Sequence, residues 1–182
     1  ISVSVENIDA VIISDYNKGL CSEEIVRSVI KEARSLNILT FVDPKGKNWG
    51  KYGGADLITP NKKEAQSIVN FKLEFDRDFE KAAKEICKKY NLASCLITRG
   101  KDGMSYVSKN KKYHIKSEAK EIYDVSGAGD TVIALFAAAI SSGLHSKIAA
   151  KLSNRAAGIV VGHIGTTPIT DFELKDYSIK PK

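Results

Sequence analysis

The chain has 182 residues, 43% hydrophobic and 27% charged, which suits one globular domain with its own core and is short for two. No apolar run approaches the roughly 20 residues that span a bilayer. The net charge of +6 allows an anionic partner, but the lysines are scattered and no basic stretch is interleaved with aromatics, which argues for a solvated surface and against a nucleic-acid groove. The opening Ile1-Ser2-Val3-Ser4-Val5 has no initiator Met, basic region or small-residue cleavage site, so it reads as an internal cut and not as a secretion signal. Three cysteines, Cys21, Cys87 and Cys95, form no C-x-x-C pair and have no His partner at metal spacing; they point to packing roles and a reducing cytoplasm.

In chain order, the apolar run 10–14 predicts a strand ending at Asp15. Ser22 then caps a helix whose apolar positions Ile25, Val29, Ile30, Ala33 and Leu36 keep helical spacing to Asn37. Strands follow over 39–42 and 55–59, stopped by Asp43-Pro44 and by Pro60, and helices over 61–69 and 79–90. A fourth strand covers 94–98, and a hairpin joins 104–107 to 113–115. Two Ala-rich helices, 128–142 and 146–162, precede a polar tail from 171. The reading is therefore one unit over 1–170 and a tail or linker start over 171–182. Strands alternating with helices imply an α/β layer with a mainly parallel sheet. Ligands sit beyond the carboxyl ends of such strands, and Asp15, Asp43, Asn61 and Thr98 each fall at such an end.

The most informative segment is Asp124-Val125-Ser126-Gly127-Ala128-Gly129-Asp130-Thr131, which leads into an apolar helix. Small residues let backbone approach a ligand, and the unpaired N–H groups of a helix start can hold a phosphate or a phosphoryl group in flight. Asp130 adds a carboxylate beside that anion site, the kind of group that takes a proton from an acceptor hydroxyl. The Walker pattern is absent, so the segment is not a P-loop.

Residues 124–131 resemble the C-terminal signature of the PfkB-type, ribokinase-like carbohydrate kinases. Their usual Thr is Ser126 here, which keeps the hydroxyl. The resemblance implies a three-layer α/β/α fold, mainly parallel and cut at its N-terminus. It implies Asp130 as catalytic base and Gly127, Ala128 and Gly129 as an anion hole. It implies ATP and Mg²⁺, with a monovalent cation such as K⁺ near Asp124 and Ser126 that spacing does not read. Thr59-Pro60-Asn61-Lys62-Lys63-Glu64 resembles the family's N-x-x-E motif, with Glu64 acting on Mg²⁺ through water; a capping box of Asn61 and Glu64 is the competing reading. Thr98, Arg99, Gly100 and Gly103 resemble the strand-end turn beside ATP, or a plain hairpin entry. Asn154 resembles the contact on the helix bordering the adenine, or plain helix surface.

Ser14-Asp15-Tyr16-Asn17-Lys18-Gly19, Asp43-Pro44-Lys45-Gly46 and the stretch 158–166 look like the heptose 7-phosphate kinase branch, whose product, heptose 1,7-bisphosphate, feeds bacterial lipopolysaccharide core synthesis. Lys18 and Lys45 would then face phosphates and Asp15 would lie at the acceptor cleft; surface lysines are the alternative. The branch implies a cytoplasmic enzyme, a homodimer when intact, often fused to an adenylyltransferase domain, with no nucleic-acid or membrane partner. The resemblance covers 8–167 but only the C-terminal part of the family domain, so little activity is expected of this piece alone. A kinase for another sugar or a nucleoside, and a nucleotide-binding module without chemistry, are the competing functions.

Overall fold

A computed structural model of the chain describes residues 8–119, 121–170 and 173–174. Its sheet runs β1 (Ala10–Ser14), β2 (Leu39–Asp43), β3 (Leu57–Ile58), β4 (Ser94–Thr98), β5 (Met104–Ser108) and β6 (Lys112–Ile115), in that spatial order. β1 to β4 are parallel, and β5 and β6 are antiparallel additions. The helices are α1 (Glu23–Ser35), α2 (Lys62–Ile68), α3 (Asp76–Tyr90), α4 (Ala128–Ser141) and α5 (Ser146–Val160).

The layers follow from period-two alternation along the strands. Val42, Ile58, Cys95 and Ile97 face one way and pack with Val26 and Ile30 of α1, Ala65 of α2, and Phe79, Ala82 and Ile86 of α3. Phe41, Leu57, Leu96 and Met104 face the other way, against Val132, Ile133 and Phe136 of α4 and Ala149 and Ala150 of α5. The result is the expected ribokinase-like α/β/α sandwich. α1 is amphipathic, capped by Ser22 Oγ accepting from Ile25 N at 3.3 Å, with Glu23 and Glu24 in its first turn. α4 is apolar almost all round because it is wedged between the sheet and α5.

Two elements differ from expectation. The third strand is shorter than 55–59, because Asp56 Oδ2 accepts from Thr40 N at 2.8 Å and from Thr40 Oγ1 at 3.2 Å where a ladder carbonyl would otherwise sit. α3 starts at Asp76 and not near Phe79, because Asp78 Oδ2 accepts from Phe75 N at 2.8 Å and starts the helix three residues early. A 3₁₀ turn at Trp49–Tyr52, not foreseen, buries Trp49, Lys51 and Tyr52 beneath the β2 end. Of the tail from 171, all but 173–174 lies outside the described residues.

Candidate active site

The carboxyl ends of the parallel strands open on one rim, and the first turn of α4 stands over it. Gly127, at φ +77°, occupies the left-handed region, and a Cβ there would lie 2.8 Å from Thr166 Cγ2; glycine meets both constraints. Its carbonyl accepts from both Thr131 N and Thr131 Oγ1 at 2.9 Å, which starts the helix. The amides of Gly127, Gly129 and Asp130 have no acceptor among the described residues, while Ala128 N donates to Val125 O at 3.3 Å. Of the amides expected at residues 127–129, those of 127 and 129 are unbonded among the described residues, as is that of 130, and Ala128 closes the turn. A Cβ on Gly129 would meet nothing within 4 Å, so the space in front of these amides is open. The loop before them is braced by Asp124, whose Oδ1 accepts from Ser126 N at 2.9 Å and Oδ2 from Gly165 N at 3.1 Å. Those amides, Ser126 foremost, hold the Asp124 carboxyl below its usual range.

Asp130 is exposed, and its Oδ1 accepts from Tyr16 OH at 3.0 Å and Ser14 Oγ at 3.4 Å. Neither residue was singled out for this role, yet strand alternation could have found both. Ile13 belongs to the α1 side of the sheet, so Asp15 points the same way, and Ser14 and Tyr16 point toward α4. Asp15 is accordingly not turned to the cleft. It is 3% exposed and holds Tyr52 OH at 2.6 Å, Lys51 Nζ at 2.5 Å and Asn17 N at 2.6 Å. Burial raises its pKa, but the bonds to Lys51 and Tyr52 outweigh that and leave it below the ordinary value. The expected acceptor contact is thus a buried anchor for the loop that carries Tyr16.

Asp43 pairs in register with Ser14 and shares the α4 side with Phe41. Burial pushes its carboxyl up to about 7, and the Glu64 and Asp130 carboxylates add to the shift. Glu64 closes a capping box, with its Oε2 accepting from Asn61 N and Asn61 Oδ1 accepting from Glu64 N, both at 2.9 Å. Its Oε1 also pairs with Lys45 Nζ at 2.9 Å, so the capping geometry and the rim position coexist. Lys18 is exposed and makes no hydrogen bond or ion pair among the described residues.

On the far side of the α4 turn lies a cleft of about 740 Å³, bordered by Asn61, Thr98, Gly100, Ile122, Gly129 and Val161 among others. Thr98, Arg99, Gly100, Gly103 and Asn154 all border it, and three of them have structural duties there. Arg99 sends its guanidinium to Asp76 at 2.6 Å and Ser105 at 3.1 Å, against the Phe79 ring. Asn154 is buried and donates to Lys116 O at 2.8 Å, fixing the chain that leaves β6. Gly103, at φ +89°, lets that chain cross where a Cβ would sit 1.9 Å from Ile115 O.

A helix start with three free amides, a carboxylate in its first turn and an apolar-lined cleft on one side can hold a nucleotide's terminal phosphates beside a base. The family comparison agrees: the profile of the pfkB family of carbohydrate kinases matches residues 3–172, and the chain belongs to that family. Among curated relatives, "Bifunctional protein HldE" of Acidiphilium cryptum is 44% identical over 170 residues, 93% of this chain and 35% of that protein. The protein of that name from Vibrio parahaemolyticus is 41% identical over 95% of this chain and 36% of its own length. The chain thus spans about a third of the curated relatives it matches. Among solved structures, phosphofructokinase-2 from Escherichia coli in complex with potassium superposes with a TM-score of 0.75 at 20% identity, over 85% of this chain and 51% of that one. Arabidopsis thaliana ribokinase complexed with ribose and ATP gives 0.72 at 22%, over 80% and 48%. These likenesses fix the fold. Among the described residues, no helix is long and apolar enough to cross a membrane.

Proposed function

We propose that this chain is the nucleotide-binding and catalytic part of a kinase that transfers the γ-phosphoryl group of ATP to a sugar phosphate, with heptose 7-phosphate as acceptor and heptose 1,7-bisphosphate as product. The observation that carries the reading is the placement of Asp130 in the same helix turn as the free amides of Gly127, Gly129 and Asp130 itself, a turn whose Ala128 and Gly129 border the cleft. In this reading the cleft takes the nucleotide base and ribose, and the amides face the β- and γ-phosphates. Asp130 takes the proton of the acceptor hydroxyl, whose oxygen attacks the γ-phosphorus as the bond to the ADP oxygen breaks. The amides of the α4 start face the charge on the transferring group.

The residues present fit Mg²⁺ held largely through water. Asp43 is pushed up partly by the Glu64 and Asp130 carboxylates, an accumulation of negative charge that a cation among them relieves. Mg²⁺ usually keeps several of its waters and takes one or two carboxylates. Bound there, Mg²⁺ supplies charge neutralisation for the phosphates. Glu64 is the residue assigned to it, with Asp43 beside it. Asp124 and Ser126 are the residues assigned to a monovalent cation such as K⁺, on a loop that Asp124 braces through Ser126 N and Gly165 N. Lys45 is assigned to the nucleotide's phosphates and Lys18 to the acceptor's phosphate, each as a point charge.

The high identity to proteins named bifunctional supports a longer protein that also carries an adenylyltransferase domain. Ile12 at 43% and Leu20 at 80% exposure, by the β1 edge, support self-association as a homodimer. A cytoplasmic location follows from the same reading. The 182-residue chain alone is proposed to turn over little, since it matches about half the length of the solved kinases and positioning of both reactants supplies much of the rate. The test is Asp130→Asn in the full-length protein. Heptose 7-phosphate turnover should fall about 10²–10⁴-fold while the Mg-ADP dissociation constant moves less than about 2-fold. Unchanged turnover would remove Asp130 as base; no turnover by the unaltered full-length protein would remove the kinase reading.

A further inference from the structure

Asp130 is gripped on one side only. Tyr16 OH and Ser14 Oγ both donate to Oδ1, at 3.0 and 3.4 Å, and Oδ2 has no partner among the described residues. A carboxylate otherwise rotates about its Cβ–Cγ bond and offers its two oxygens alternately. Here two donors from the end of β1 converge on the same atom. The loop carrying them is itself fastened. Asn17, at φ +55°, turns left-handed, and its N–H donates to Asp15 Oδ1 at 2.6 Å. Asp15 Oδ2 is held by Tyr52 OH at 2.6 Å and Lys51 Nζ at 2.5 Å, and Lys51 Nζ also donates to Cys21 O at 2.8 Å across the loop. A continuous chain of short polar contacts therefore runs from the buried 3₁₀ turn at Trp49–Tyr52, through Asp15 and the Asn17 turn, to the exposed phenol of Tyr16 and on to Asp130. An exposed tyrosine has no packing reason to be so placed, at 60% exposure.

We propose that Tyr16, supported by Ser14, is a positioning residue that fixes Oδ2 of Asp130 as the oxygen that accepts the proton. The proposal rests on the kinase reading above. In the step it serves, the acceptor O–H bond breaks and its proton passes to Oδ2. The acceptor oxygen's electron pair forms the bond to phosphorus, and the bond from phosphorus to the ADP oxygen breaks with its pair. The phenol of Tyr16 keeps its own proton throughout. Its contribution is to remove the wrong carboxylate orientations before the acceptor arrives.

The experiment is a double-mutant cycle of Tyr16→Phe and Asp130→Asn in the full-length protein, with saturating Mg-ATP and heptose 7-phosphate in single-turnover mode. Tyr16→Phe keeps the exposed ring and removes one donor, so folding is not at stake. It should lower the single-turnover rate roughly 10- to 100-fold, in line with the cost of an angstrom-scale misplacement, while the acceptor KM and the Mg-ADP dissociation constant move less than about 2-fold. In the Asp130→Asn background the same change should cost less than about 2-fold, because the oxygen it positions is gone. Ser14→Ala, at the longer contact, should cost only a few-fold. A Tyr16→Phe effect confined to KM would make the phenol an acceptor contact and overturn the proposal. An equal loss in both backgrounds would do the same, since Tyr16 would then act without Asp130. No phosphorylation of heptose 7-phosphate by the native protein would overturn the kinase reading, whereas equal turnover by native protein and Asp130→Asn would leave a kinase and overturn Asp130 as base and Tyr16 as its positioning residue, so the two failures are distinguishable.

Discussion

The first turn of α4 separates two unlike regions. On the β1–β2 side, polar side chains are tied to one another over short distances: Tyr52 and Lys51 to Asp15, Asp15 to Asn17, Tyr16 and Ser14 to Asp130, Lys45 to Glu64. On the β4–β5 and α5 side, a cleft of about 740 Å³ has Val125, Val132, Val161, Ala157 and glycines in its walls, and of the polar side chains on its border Arg99, Asn154, Asn61 and Gln66 bond to protein. The contrast fits the two tasks of the proposed reaction. Proton and phosphoryl transfer need fixed angles, which only mutually bonded groups supply. A nucleotide base needs room and apolar walls, with few directed contacts.

The contrast can be tested by damaging one side and measuring the other. The largest effect is expected at the boundary itself. Gly129→Asp places a carboxylate in open space before the free amides, so the fold should persist while Mg-ADP binding weakens at least about 100-fold, read by calorimetric titration with Tm as control. Tight binding by a folded variant would show that the amides do not face the phosphates.

Next comes the anchor of the bonded side. Lys51→Met leaves Asp15 buried at 3% exposure without its cation, which should cost about 3–5 kcal/mol in denaturant unfolding. Because the Asp15 pKa is lowered in the folded chain, the stability it contributes is present above the unfolded carboxylate pKa and lost as pH falls below it. The penalty of Lys51→Met should therefore shrink on acidification toward pH 3. A penalty constant with pH would move the cause from the ion pair to lost packing.

The smallest effect is expected at Asp43. Its folded pKa near 7 lies above the ordinary 3.8, so its contribution to stability is highest below pH 4 and declines as pH rises to 7. Asp43→Asn should thus raise Tm by roughly 2–4 °C at pH 8, with little change at pH 4. A gain of the same size at both pH values would exclude titration of Asp43 as its source.

Much of the fold was legible in the sequence because it was written in local terms. The apolar runs, the Ser22 cap and the two Ala-rich helices are periodic signals, and each element appears where they fall, within a few residues. The exceptions have side-chain causes. Asp56 shortens β3 and Asp78 lengthens α3 by bonding to backbone, which hydrophobic periodicity does not register. At the candidate site, the Gly-Ala-Gly-Asp turn was conspicuous, since its chemistry lies within one helix start. Which amides stay free was not, because the 3.3 Å bond from Ala128 to Val125 is a matter of turn geometry.

By itself the sequence determined the elements, their strand–helix alternation and the helix start that bears Asp130, because periodicity and capping are written between near neighbours in the chain. Tertiary structure alone decided what surrounds that carboxylate. Ser14 and Tyr16 reach Asp130 across separations of 116 and 114 residues. Asp43 feels Glu64 and Asp130 only because the end of β2 and the starts of α2 and α4 meet on one rim. Strand alternation then sent Asp15 into the core and its two neighbours to the site, since successive side chains on a strand leave by opposite faces.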